Sequence, residues 1–113
     1  MEEVVRFLEA KLSNQELMQQ MVNQLNKDFQ LAVDTSIEFK SNVPDTLANE
    51  VLMCLEKIAT TSVAKFSSLL YRIDVSETEV DAIKGVSFEE YLQQITFLIL
   101  KREFQKVYIR SAL

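Results

Sequence analysis

Gly85 and Pro44 are the single glycine and the single proline in 113 residues, and that scarcity constrains the fold more than any other feature. Hairpins and tight turns use glycine for positive φ and proline for a preset φ. A chain with one of each has few ways to reverse between strands, so helices are expected. The apolar share of 48% beside 26% charged residues is that of a globular chain rather than a disordered one. A single helical domain over residues 1–113 would bury about 65% of its unfolded surface, enough for a core without disulfides or metal.

The clearest helical signal runs from Ser87 to Leu113. Ser87-Phe88-Glu89-Glu90 forms a capping box, in which the serine hydroxyl accepts from the Glu90 amide and the glutamate reaches back. Behind it, Tyr91 to Leu100 is apolar on too many sides for a surface helix. Such a helix lies among other helices or is shared with a second chain. The fold class this implies is all-α: a compact bundle of five or six short helices with the C-terminal helix at its centre.

The other helices follow from spacing and caps. Val4, Val5, Leu8 and Leu12 mark a first helix from about Glu2 to Leu12, and Ser13-Asn14-Gln15-Glu16 is a second capping box that suggests a fresh start. Leu17, Met18, Met21, Val22, Leu25 and Phe29 continue at helical spacing. From Phe29 to Phe39 the apolar residues alternate in a strand-like way, but no second segment offers a pairing partner. A lone strand would leave its backbone groups unpaired, so a helix end followed by an extended connection is the preferred reading. Pro44 opens the next helix, with Leu47, Val51, Leu55 and Ile58 on one face. Thr60-Thr61-Ser62 interrupts, and Phe66, Leu69, Leu70 and Ile73 form another stripe. Ser76-Glu77-Thr78-Glu79 is the third capping box, opening a short helix that Gly85 would close as a left-handed cap.

Chemistry is thinly represented. Histidine is absent, which removes the commonest general base and the usual transition-metal ligand. No two glutamates stand three or four residues apart, so paired-glutamate metal sites on one helix face are not expected. Asp74, Glu77, Glu79 and Asp81 cluster at a helix start, where acidic side chains oppose the positive end of the dipole. Cys54 lies among apolar neighbours with no histidine to activate it, and reads as a small core residue. Arg72, beside Leu70 and Ile73, is expected to form a structural ion pair with a neighbouring helix. No catalytic residue, cofactor or metal is therefore expected. The net charge of −5 opposes nonspecific nucleic-acid binding, and no apolar run approaches the roughly 20 residues of a membrane span. The lone cysteine and the acidic N-terminus point to a cytoplasmic protein.

The functional expectation therefore rests on surfaces. On the C-terminal helix, Phe97, Leu100, Phe104 and Val107 stand at 3-4-3 spacing, a short coiled-coil-like seam. Arg102, Lys106 and Arg110 repeat every four residues as a basic stripe beside it. These seven residues would anchor and orient a protein partner or a second copy. The expected function is a non-enzymatic interaction or regulatory module acting through helix-face contacts. An acidic inhibitor or immunity protein masking a basic partner is the alternative. An enzyme built on carboxylates is a third reading, and a cleft where carboxylates converge would mark it. In size and helix count the chain is similar to death-fold adaptors and some small immunity proteins, a likeness of fold that carries no function with it.

Overall fold

The computed structural model describes residues 1–11 and 14–112. They form six helices: α1 (Glu2–Lys11), α2 (Gln15–Ala32), α3 (Pro44–Thr61), α4 (Val63–Ile73), α5 (Glu77–Asp81) and α6 (Phe88–Ala112), with no strand among the described residues. At 25 residues, α6 is roughly 36 Å long, matching the 34 Å longest extent of the molecule. It packs against α1, α2, α3 and α4 together. That position explains why its apolar side chains point in several directions: Leu92, Ile95, Ile99, Leu100 and Val107 are all buried. Phe29 and Leu25 of α2, Leu47 and Leu55 of α3, and Leu69 and Ile73 of α4 meet them in one core. Each such side chain is worth about 1.5–3 kcal/mol when fully buried. Leu98 is half-buried at the core's edge.

The caps show which local signals act. Ser87 Oγ accepts from the Glu90 amide at 3.1 Å, and Ser76 Oγ from the Glu79 amide at 3.3 Å. The second start is capped by Asn14, whose Oδ1 accepts from the Glu16 and Leu17 amides at 2.8 and 3.4 Å. Ser13, expected in that role, and Leu12 lie outside the described residues. Gly85 does take a positive φ of 71°, but α5 ends at Asp81 with Ala82 as its cap, so the glycine serves the following turn instead. The helix cap in left-handed conformation is Asp74, at φ 67° and ψ 47°, which ends α4.

The strand-like alternation dissolves at Leu31. Helix α2 continues to Ala32, leaving Leu31 exposed while Phe29 is wholly buried. Beyond it the chain turns, the Ile37 amide donating to the Asp34 carbonyl at 3.2 Å, and then runs to α3 with no regular element; α2 side chains stand in for the missing strand partner. Asn26 Nδ2 donates to the Phe39 carbonyl at 3.0 Å and its Oδ1 accepts from the Phe39 amide at 2.6 Å. Gln30 Nε2 donates to the Ile37 carbonyl at 2.7 Å. These bonds satisfy the backbone groups that face α2, so no strand partner is needed on that edge. Phe39 then packs edge-on against Phe29 with ring centroids 4.9 Å apart.

Candidate functional site

The seam residues of α6 divide into two groups. Leu100 and Val107 are wholly buried. Phe97 and Phe104 are half-buried and meet Phe7 of α1 edge-on, at centroid distances of 5.4 and 5.9 Å. Helix α1 thus occupies much of the seam from within the chain. The aromatic surface continues outward, because Phe104 also stacks on Tyr108 at 5.6 Å. Tyr108 is 53% exposed and its neighbour Ile109 54%. Neither was among the expected anchors, although their positions in the last turns of a helix with apolar residues on several sides were the available signal.

The basic stripe is split three ways. Arg102 Nη2 donates to Asp74 Oδ2 at 3.2 Å, and Lys101 Nζ to Glu79 Oε2 at 3.0 Å. The acidic cluster thus finds its basic partner on this chain's own α6, although Arg102 Nε is buried there without an acceptor. Arg110 is exposed beside Gln20, Asn23, Gln24 and Lys27 of α2, around a shallow hollow of about 320 Å³.

Lys106 turns inward. Its Nζ donates to Asp28 Oδ2 at 2.9 Å, and Asp28 Oδ1 accepts from Arg72 Nε at 3.1 Å. Gln24 Nε2 adds a bond to Asp28 Oδ2 at 3.1 Å. The ion pair expected of Arg72 is therefore present, with α2 as the neighbouring helix. Asp28 is 2% exposed and Glu103, which joins the cluster from α6, is 0%. Lys106 Nζ also lies 2.8 Å from Glu103 Oε1, an ion pair whose pull toward the carboxylate form opposes burial. Burial first, and the adjoining Asp28 second, push the Glu103 carboxyl up to about 8. Burial also raises Asp28, but the hydrogen bonds from Glu103, Lys106 and Gln24 outweigh it and hold Asp28 below its ordinary value. At neutral pH Glu103 is therefore held mainly as the neutral acid beside an ionised Asp28.

Two converging carboxyl groups are what a carboxylate enzyme would need. Here Glu103 is wholly buried and Asp28 nearly so. Neither residue belongs to a motif. The available signal was position: Asp28 continues the apolar row Met21, Leu25, and Glu103 sits between Leu100 and Val107. A titratable residue on an apolar stripe has to be paired or neutralised.

One further concavity, of about 720 Å³, lies between residues 33–39 and α3. Cys54 lines it and burial raises its thiol pKa, which keeps the sulfur neutral and weakly nucleophilic. Among the described residues no three His, Cys, Asp or Glu side chains are placed to share a metal ion, and no helix is long and apolar enough to cross a membrane.

Fold and sites together define an all-α bundle whose last helix runs through its centre. No protein-family model matches the chain, and no curated protein and no solved structure matches it either.

Proposed function

We propose that this chain is a non-enzymatic interaction module that docks through the outer face of α6, and that a second copy of the chain is its partner there. The observation that carries the reading is the run from half-buried Phe104 to exposed Tyr108 and Ile109, flanked by exposed Arg110. Exposed aromatic and aliphatic side chains with a charged rim are the composition of an interface centre. Half-buried Phe97 and Phe104 extend the patch onto the seam, while Leu100 and Val107 support it from the core. Within the stripe, Arg110 is the residue disposed to orient a partner, since Arg102 and Lys106 serve internal pairs. Sedimentation velocity over a wide concentration range tests the reading. A reversible dimer is expected, and a monomer at every concentration would contradict it.

One observation favours the second reading, an acidic inhibitor or immunity protein. Tyr71, 86% exposed, borders a hollow of about 440 Å³ together with Asp74, Glu77 and Asp81. An aromatic among acids suits a basic partner. Titration with an arginine-rich peptide, followed by amide shifts, separates the readings: shifts at Tyr71, Glu77 and Asp81 would support this one.

A further inference from the structure

The extended connection after α2 has one edge occupied and one open. The Ile37 carbonyl, the Phe39 amide and the Phe39 carbonyl are all bonded to α2 side chains. Asn26 meets both the N–H and the C=O of Phe39, which puts the two on one edge as in extended backbone, where consecutive residues turn these groups to opposite edges. The Glu38 amide, the Glu38 carbonyl and the Lys40 amide therefore face away from α2, and they have no hydrogen-bond partner among the described residues.

Glu38, on that open edge, also lines the 720 Å³ groove, whose opposite wall is α3. The volume lies in the range of ligand-binding clefts. Its apolar lining comes from Val33, Ile37, Met53, Cys54 and Ile58, with Met53 71% exposed. The neutral Cys54 thiol belongs to this apolar surface. Charge divides the groove lengthwise. Lys57 and Lys65 stand near Asp34 at one end. Glu38 and Glu50 line it as well, and Glu50 lies two turns, roughly 10 Å, back along α3 from Lys57. None of Glu38, Glu50, Lys57 and Lys65 forms an ion pair among the described residues.

We propose that this groove binds an extended peptide of a partner protein, running antiparallel to residues 37–40 and pairing its backbone with the open edge. An apolar side chain of the peptide lies over Cys54 and Ile58. A basic residue toward its amino end meets Glu38 and Glu50, and an acidic residue or carboxyl terminus meets Lys57 and Lys65. The chain direction follows from charge: the connection itself runs from the lysine end toward the glutamate end, so a peptide with its carboxylate at the lysines runs the opposite way. Backbone bonds at a sheet-like edge supply affinity, and alternate side chains supply specificity. This surface is separate from the α6 face, and either can fail without the other.

The probe is a fluorescent heptapeptide that alternates valine and threonine, with lysine at its amino end and a free carboxyl terminus. Saturable binding is expected, with hydrogen exchange at the Glu38 and Lys40 amides fast in the free protein and slowed in the complex. Methylating one alternate set of the peptide's amides should weaken binding at least about tenfold, the equivalent of one good hydrogen bond, while methylating the other set leaves it nearly unchanged. Met53→Glu, at an exposed position, should weaken binding with no loss of helicity. No binding at millimolar peptide would overturn the proposal. So would binding that ignores amide methylation and leaves both amides unprotected, as a helical ligand or a second copy would, or equal binding by a peptide with its end charges reversed.

Discussion

Glu103 on α6 and Asp28 on α2 meet at the Lys106 ammonium, which lies 2.8 Å from Glu103 Oε1 and 2.9 Å from Asp28 Oδ2. Burial favours the protonated form of Glu103, while hydrogen bonds hold the Asp28 carboxyl low. The pair makes stability depend on pH in an unusual direction. Glu103 binds its proton more tightly when folded, about 8 against an ordinary 4.5. Its contribution is complete below about 4.5 and is lost as pH rises through about 8, because the native state then holds the extra proton less and less. Asp28, shifted down from 3.8, contributes above that value and loses the contribution as pH falls through its lowered pKa. Urea unfolding between pH 5 and pH 8 is therefore expected to show a loss of several kcal/mol, since each tenfold change in proton affinity is worth roughly 1.4 kcal/mol. Glu103→Gln should flatten that slope, raising stability at pH 8. An unchanged slope would mean that Glu103 is not the group responsible.

Lys106 and Arg102 occupy the same stripe, yet their removal should differ sharply. Lys106 lies against a carboxylate that is almost fully buried, so Lys106→Met leaves Asp28 short of one charged donor. Asp28 keeps Arg72 at 3.1 Å, so the expected cost is that of one charged hydrogen bond to a buried group, about 1.5–3 kcal/mol. Arg102 pairs with an Asp74 side chain that is 81% exposed, and Arg102→Met should cost about 1 kcal/mol or less. Denaturant melts of the two variants check the contrast, and equal losses would refute it.

The sequence showed the central helix, the breaks between helices and the main buried stripes, because each has a local cause: a hydroxyl three residues before a glutamate, or apolar residues at a fixed period. It did not show Asp28 and Glu103 meeting, since that contact joins two helices far apart in the chain and depends on how α2 and α6 are rotated. Nor did it separate the seam into buried Leu100 and Val107 and half-buried Phe97 and Phe104. That division follows from where Phe7 of α1 lands. Gly85 misled for a related reason: positive φ was legible from the residue, but which element it terminates depends on where α5 stops.

Ile95 is fully buried at the centre of α6. Ile95→Ala is expected to cost roughly 2–5 kcal/mol in chemical denaturation, the range for such truncations in a closed core. A loss under about 1 kcal/mol would place the helix at the periphery.

The outer face of α6 is tested most directly by sedimentation of Ile109→Glu beside the unmodified protein, with circular dichroism on both. Ile109 is more than half exposed, so a carboxylate there remains in water in the monomer and costs the fold little. In a dimer closed over Tyr108 and Ile109, the same carboxylate would be desolvated without a partner, at several kcal/mol. The expected result is a concentration-dependent dimer for the unmodified protein and a fully helical monomer for the variant. An unmodified protein that stays monomeric at millimolar concentration, or a variant that dimerises equally well, would contradict the proposed interface.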